Sequence, residues 1–137
     1  MSIPSPFLQD HLVELSRYFC LWVDDWDRFV IVREVTLPPG FNRRSTDVLI
    51  ELPEDYPMSP PGVAGSRIYV DAGLEFKGRI PAEYRECSSP TYGTPGFGPW
   101  AWICYEHIHW NPVRDNLVRF VEMLRADLTQ PPTIQEP

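Results

Sequence analysis

The sequence predicts an α+β domain with an N-terminal helix, a short antiparallel β-meander, a long irregular segment and a C-terminal helix, both helices packing on one face of the sheet. Three observations lead to this fold class. Apolar residues recur at helical spacing near both ends of the chain. Short β-branched runs, each stopped by proline or glycine, lie between them. Residues 73–102 are rich in glycine, proline and serine and show no sustained periodicity.

The first helix is predicted over residues 6–19 by an apolar stripe formed by Leu8, Leu12, Leu15 and Phe19. Ser5 is suited to cap its first turn, and Pro6 is suited to the first helical position. Residues 18–23 either end this helix or form a separate strand, and the sequence leaves both open.

Three strands are predicted over residues 29–37, 47–52 and 67–70. They are followed by Pro38-Pro39-Gly40, by Pro53 and by Asp71-Ala72-Gly73 respectively, so each strand ends sharply and the three form an antiparallel meander. A connection as long as residues 73–102 is unusual in a compact domain unless it is functional. We therefore expect a long ordered flap around a site.

The C-terminal helix is predicted over residues 112–128, with Asn111 as its cap and Pro112 in its first turn. A continuous apolar stripe supports it, formed by Val113, Leu117, Phe120, Val121, Leu124 and Leu128.

Length and composition indicate one domain over residues 1–137, with an ordered core at about residues 6–128 and a proline-rich tail at residues 129–137. The net charge of −7, from 12 basic and 19 acidic residues, would repel a phosphate backbone, so we expect no nucleic-acid partner. No apolar run is long enough to cross a bilayer, and the first residues lack the basic start and apolar core of a signal peptide. We expect a cytoplasmic protein.

The three cysteines, Cys20, Cys87 and Cys104, are an odd number without Cys-x-x-Cys spacing, which favours a reducing compartment and at least one free thiol. Cys20, predicted on the first helix, and Cys87, in the flap, are interpreted as packing or incidental residues. A buried cysteine usually packs as a small hydrophobe, so Cys104 is notable only for its surroundings. It follows Trp100-Ala101-Trp102-Ile103 and precedes two histidines and Trp110-Asn111-Pro112.

Two motifs resemble those of ubiquitin-conjugating enzymes. Leu52-Pro53-Glu54-Asp55-Tyr56-Pro57-Met58-Ser59-Pro60-Pro61 is similar to the strand end and Tyr-Pro-x-x-Pro-Pro turn of that superfamily. Ile103-Cys104, followed by Trp110-Asn111-Pro112 and a helix, is similar to the active-site Ile-Cys and the downstream Trp-Ser-Pro. With residues 37–42 and 69–74 added, the chain most resembles the prokaryotic branch of the superfamily, over roughly residues 6–128. The resemblance implies a UBC-like fold.

One expected motif is missing. The His-Pro-Asn that precedes the cysteine in ubiquitin-conjugating enzymes, and whose asparagine steadies the oxyanion or a nearby loop, has no match between Tyr84 and Ile103. Gly93-Thr94-Pro95-Gly96-Phe97-Gly98-Pro99 stands there instead. The oxyanion donor is therefore unassigned, and the fold without the activity is a second hypothesis.

The resemblance implies that Cys104 is a nucleophile that accepts an acyl group from one thioester and yields it to an amine. Such a site needs donors near the developing oxyanion and a group that deprotonates the amine. We assign catalysis to Cys104 and His107, and substrate binding to Tyr105, His109, Trp110 and Asn111. The alternative interpretation is that the histidines are the outward face of an extended segment, and that Trp100, Trp102 and Trp110 are core or rim packing.

Other site chemistries are less favoured. Cys104, His107 and His109 are zinc-type ligands, but their spacing is not a usual one and a fourth ligand would have to come from Cys87 or a carboxylate. No Gly-x-Ser-x-Gly motif or phosphate-binding glycine loop is present. We therefore predict no metal and no cofactor.

Two functions follow from the resemblance. The first is a carrier that receives a ubiquitin-like protein from an activating enzyme onto Cys104 and passes it to a target amine. The second is an inactive module of the same fold that binds a ubiquitin-like protein or scaffolds an assembly. The resemblance implies an activating enzyme and a ubiquitin-like modifier as partners, with a JAMM-type deconjugating peptidase in bacterial antiphage systems.

Overall fold

The computed structural model describes residues 6–24, 28–62, 67–78, 84–87, 99–103 and 109–128. In chain order its elements are α1 (Pro6–Ser16), β1 (Leu21–Val23), β2 (Phe29–Thr36), β3 (Ser45–Glu51), β4 (Ile68–Asp71), β5 (Tyr84–Cys87), β6 (Trp100–Ile103) and α2 (Leu117–Asp127). The α+β class is confirmed. Neither described helix is long and apolar enough to span a membrane.

The six strands form one antiparallel sheet in the order β1-β2-β3-β4-β6-β5. Strands β2 to β4 are the predicted meander, which is confirmed, and β1 resolves residues 18–23 in favour of a strand. Strand β6 lies beside β4, with Ile103 opposite Ile68 and Trp100 opposite Asp71. The sheet thus has two ends along the strand direction, which we call the Ile103 end and the Trp100 end after these residues of β6.

One buried cluster joins both helices to one face of the sheet, as predicted. Its members include Leu15 of α1, Phe120 and Leu124 of α2, and Val30, Ile50 and Ala101 of the strands. Successive strand residues point to opposite faces, so the alternate positions form a second buried cluster on the other face. Its members include Ile31, Leu49, Tyr69 and Trp100.

The first helix is shorter than the sequence indicated. It ends at Ser16 instead of Phe19, and a turn follows it. The chain must turn there to bring β1 alongside β2, and the Arg33 N–H donates to the Cys20 carbonyl at 2.9 Å where the two strands begin to pair. Cys20 is therefore off the helix and exposed, which excludes packing and leaves the interpretation that it is incidental.

The second helix also begins later than predicted. It starts at Leu117, and Asn116 is its N-cap, with its side-chain oxygen accepting the Arg119 N–H at 2.9 Å. The prediction that Asn111 caps this helix is wrong, because its side-chain oxygen instead accepts the Val113 N–H at 2.9 Å in a separate turn. Val113 is 95% exposed, so it does not belong to the apolar stripe.

The segment predicted as a flap contains regular structure at its described positions. Residue Phe76 forms a β-bridge with Phe41, and β5 and β6 add two strands to the sheet. Glycine and proline counts alone concealed these strands because each is only four residues long. Residues 79–83, 88–98 and the predicted tail at 129–137 lie outside the described residues.

Candidate functional site

The chain reaches the candidate site from the Ile103 end of the sheet. Ile103 is the last residue of β6, is buried, and lies between Ile68 of β4 and Tyr84 of β5. In the same row, Ile50 of β3 pairs with Ile68, one residue before that strand ends, and the Tyr-Pro turn follows shortly after it. Cys104, Tyr105 and His107 lie outside the described residues; Cys104 directly follows Ile103 in the chain.

A buried tyrosine joins three separate segments at the same end. Tyr56 follows β3, and its hydroxyl lies 2.7 Å from Nδ1 of His11 on α1. Its ring lies 5.9 Å from that of Trp110, measured between centroids. The Trp110 Nε1–H donates to the Pro57 carbonyl at 2.7 Å. We call Tyr56, Pro57, His11 and Trp110 the Tyr56 cluster.

Burial fixes the protonation of this cluster. Desolvation raises the pKa of Tyr56 far above its ordinary value, and the negative charge of Asp115 raises it further. Desolvation also lowers the pKa of His11, against the opposing effect of Asp10. The phenol therefore keeps its proton, and a hydrogen bond joins its oxygen to Nδ1 of a neutral imidazole, with the donor set by the imidazole tautomer. The resulting hydrogen bond ties α1 to the Tyr-Pro turn.

The turn after Trp110 is also held from within. The Asn111 N–H donates to the buried carboxylate of Asp115 at 2.7 Å, and the Asn111 side-chain oxygen accepts N–H groups from Val113 and Arg114. The Asn111 side chain is exposed, and within the described residues its amide nitrogen has no acceptor. Fixing the oxygen orients the amide and its two N–H donors.

The six assigned site residues divide into two groups. Trp110 belongs to the Tyr56 cluster, Asn111 follows it in the chain, and His109, which precedes them, is exposed. The positions of Cys104, Tyr105 and His107 are not described, and all six assignments stay predictions. Within the described ranges no three His, Cys, Asp or Glu residues form a group that could hold a metal ion.

The two tryptophans before Cys104 are packing residues, in agreement with the alternative interpretation of the sequence. Trp100 is fully buried in the second cluster, and Trp102 is half-buried beneath the guanidinium of Arg67, whose Cζ lies 4.5 Å from the ring centroid. Cys87 is the last residue of β5 and pairs with Trp100, whereas Tyr84, the first residue of that strand, pairs with Ile103. Three strand residues separate these two rows, a distance of about 10 Å.

Exposed apolar side chains lie on each of the three segments that meet at the Tyr56 cluster. Val13 of α1 is 57% exposed, Met58 of the Tyr-Pro turn 67% and Val113 of the Trp-Asn-Pro turn 95%. Single exposed apolar residues are ordinary, and these three are grouped here only because their segments meet at the Tyr56 cluster. We call these residues the apolar rim.

Sequence reasoning missed His11 and took Tyr56 only as a turn residue. The available signal was weak: His11 adjoins Leu12, on the edge of the apolar stripe of α1, where a histidine is usually exposed. Its partner lies 45 residues away in the chain. Only tertiary structure brings the two together.

The comparisons with known proteins give one match. The model of the family described as Prokaryotic E2 family E matches residues 8–130, which is nearly the whole chain. No curated protein and no solved structure matches significantly. The match confirms the resemblance found in the motifs around Tyr56 and Cys104, and the chain belongs to prokaryotic E2 family E.

Proposed function

We propose that this protein is a ubiquitin-conjugating-like carrier that accepts a ubiquitin-like protein from an activating enzyme as a thioester on Cys104 and transfers it to an amine of a target. The observation that carries the proposal is the family match, which spans both the Tyr-Pro turn and the cysteine. The geometry supports it, since the segment that bears Cys104 connects Ile103 to Trp110 of the Tyr56 cluster.

The chemistry consists of two acyl transfers. The Cys104 thiolate attacks the thioester carbonyl of the incoming modifier, a new C–S bond forms, and the thiolate of the activating enzyme leaves. A target amine then attacks the same carbonyl, an amide forms, and the Cys104 thiolate is released. The amine must lose a proton, and we assign its removal to His107. No cofactor is needed on the carrier.

Asn111 is proposed to supply part of what the missing His-Pro-Asn would provide. Its side-chain oxygen is engaged by two backbone N–H groups, and its amide nitrogen has no acceptor in the described part of the chain. A donor held in this way needs little reorganisation when negative charge develops on an acyl oxygen. Tyr105, His109 and Trp110 are proposed to line the same substrate-binding region.

The activating enzyme is proposed to dock on α1 and the apolar rim. Val13, Met58 and Val113 offer apolar contacts, and the exposed pair Glu14–Arg17, with its N and O atoms 3.2 Å apart, offers polar contacts on the same helix. An apolar centre with a charged border is the usual composition of a protein–protein interface. A JAMM-type peptidase and an antiphage setting stay predictions from the resemblance.

The test is thioester formation on incubation with a cognate activating enzyme, its ubiquitin-like protein and ATP. Wild type is expected to give an adduct that added thiol cleaves, because a thioester exchanges with thiols and an amide does not. Cys104→Ser is expected to give a slower, thiol-resistant oxyester, and Cys104→Ala no adduct. Cys20→Ala and Cys87→Ala are the matched controls and are expected to load normally.

The inactive binding module is the competing function, favoured by the absence of His-Pro-Asn before Cys104. It predicts that wild type binds the ubiquitin-like protein without forming an adduct, although the activating enzyme forms its own thioester. Loading of Cys104→Ala at the wild-type rate would equally contradict the carrier proposal.

A further inference from the structure

The proline turn, residues 36–44, connects β2 to β3 at the Trp100 end of the sheet and lines an open pocket of about 520 Å³. The row of paired residues that contains Ile103 also contains Val30, and Thr36 lies six residues further along β2. At about 3.4 Å per residue, the pocket is roughly 20 Å from the end that carries the candidate site. The proposed acyl transfer does not use it.

The turn is held rigidly from behind by the segment that follows β4. The Asn42 side chain bonds to both the Gly73 carbonyl and the Glu75 N–H, and the Lys77 N–H donates to the Gly40 carbonyl at 2.6 Å. Gly40 has a φ of +109°, and a Cβ there would lie 2.6 Å from the Phe76 ring. A preformed surface loses little conformational entropy when a ligand binds.

The floor of the pocket is apolar. Leu37 is buried, Pro38 and Phe41 are half-buried, and the Phe41 ring packs on Phe76 with centroids 4.8 Å apart. Ligand pockets typically measure about 300–1,000 Å³ and combine apolar walls with a few polar groups. This volume is too large for a lone inorganic anion and suits two or three peptide side chains.

Arginines supply the polar groups. Arg43 lies against Asp71 at 3.2 Å and donates to the Ala72 carbonyl, which fixes its guanidinium. Arg44 is exposed, and no described residue pairs with its side chain. Arg125 of α2 reaches the same turn, where it donates to the Thr36 carbonyl at 3.4 Å. Two guanidinium groups, those of Arg43 and Arg44, thus belong to residues that line the pocket, and a third bonds to the carbonyl of Thr36, in a chain whose net charge is −7.

We propose that the proline turn binds an acidic peptide segment of a partner protein, with an apolar side chain on the Leu37–Phe41 floor and flanking carboxylates against Arg43 and Arg44. Charge complementarity selects the acidic flank, because a guanidinium accommodates a carboxylate in a bidentate pair. The overall negative charge disfavours a long polyanion such as nucleic acid. This binding depends on neither Cys104 nor thioester formation.

The probe is a fluorescein-labelled ten-residue peptide with a central leucine flanked by glutamates. Its binding to the full chain is measured by fluorescence anisotropy. Saturable binding that weakens with salt is expected, and Arg44→Glu is expected to weaken it by about tenfold, since one attraction becomes a repulsion. Arg114→Glu, the same change at an exposed arginine near the other end, is the matched control and is expected to bind as wild type does. Peptides with serine for leucine, or lysines for glutamates, are expected to bind more weakly.

Amide chemical shifts locate the peptide. Changes confined to residues 36–44 and 72–77 are expected, and changes centred on α1 or the apolar rim would overturn the proposal. Equal losses in Arg44→Glu and Arg114→Glu would also overturn it, because they indicate only general electrostatic attraction.

Three other occupants give distinct results, and each would replace the acidic partner peptide. A single-stranded oligonucleotide that competes at equal affinity would indicate a polyanion site. Concentration-dependent dimerisation abolished by Arg44→Glu would indicate a second copy of the chain. Peptide binding that appears only after removal of residues 129–137 would indicate the chain's own tail.

Discussion

The two ends of the sheet are stabilised in different ways. At the Trp100 end, the proline turn is held by many backbone hydrogen bonds and by the polar side chains of Asn42, Arg43 and Asp71. At the Ile103 end, one buried tyrosine makes a single side-chain hydrogen bond to α1 and a ring contact to Trp110. The first arrangement fixes a turn in one geometry, whereas the second connects three elements through few contacts.

This difference suits the two proposed uses. A preformed pocket at the Trp100 end favours recognition of a short peptide, because the turn does not have to become ordered on binding. A carrier must meet an activating enzyme and then a target at the Ile103 end, where three segments present the apolar rim. The following experiments test the two ends separately, after one that removes both.

The largest expected effect comes from α2, which spans both ends. Leu124→Asp or Leu117→Asp buries an unpaired charge in the common core and is expected to lower the free energy of unfolding by about 4 kcal/mol or more. That loss is enough to unfold a domain of ordinary stability. Glu122→Asp places the same carboxylate on the exposed face of α2 and is expected to melt close to wild type. Unchanged thermal melting of Leu124→Asp would contradict the packing of α2 in the core.

The next effect isolates the Trp100 end. Gly40→Ala forces an L-residue to a φ of +109° and drives its Cβ into the Phe76 ring, so we expect a loss of about 2 kcal/mol. Gly78→Ala is the matched control: its φ is +78°, but nothing lies within 4 Å of the added Cβ. It is expected to lose about 1 kcal/mol from backbone strain alone. If both variants lose the same free energy of unfolding in urea, the Phe76 ring moves aside without an energetic cost.

The third effect isolates the Ile103 end. Met58→Asp or Val113→Asp is expected to slow loading by about tenfold, because an exposed apolar contact is replaced by a charge that must be desolvated in the interface. Charge reversal at Glu14 and Arg17 is expected to act in the same direction. Thr36→Asp, an exposed change of equal charge at the Trp100 end, should load at the wild-type rate. Equal loading by all these variants, with unchanged melting, would remove the proposed docking surface.

Local patterns in the sequence predicted most of the elements. The apolar stripes of α1 and α2, and the β-branched runs of β2 to β4, carry their signal within a few residues. The sequence did not predict β5 and β6, because each is only four residues long and is stabilised by pairing: β6 pairs with β5 on one side and with β4 on the other. The start of α2 was misplaced because Asn111 and Asn116 are both good caps, and only the buried carboxylate of Asp115 decides between them.

The candidate site was predictable to a different extent. The motifs indicated the family, which the family match confirms, because a family depends on residue identity. The assignment of Cys104 stays a prediction. The Tyr56 cluster was not predictable, because it depends on a hydrogen bond between residues 45 positions apart. The pocket of the proline turn was missed because Pro38-Pro39-Gly40 predicts only that a strand stops.

The smallest expected effect distinguishes the two ends by their response to acid. At the Ile103 end, the pKa of His11 is lowered by burial, so the unfolded chain binds a proton more readily than the folded one. The stability this group contributes is present above its unfolded pKa of 6.5 and is lost as the pH falls through its lower folded value. At the Trp100 end, the pKa of Asp71 is raised, chiefly by burial and also by the charge of Asp47. That stability is present below the unfolded pKa of 3.8 and is lost as the pH rises through the raised folded value.

Unfolding free energies measured at several pH values, taken as wild type minus His11→Gln and wild type minus Asp71→Asn, should therefore slope in opposite directions. In each difference, the contribution of the other group is present in both wild type and variant and therefore cancels. A flat His11 difference between pH 7 and pH 5 would show that the pKa of His11 is the same in the folded and unfolded chain, and burial of this imidazole would then make no pH-dependent contribution to stability at the Ile103 end.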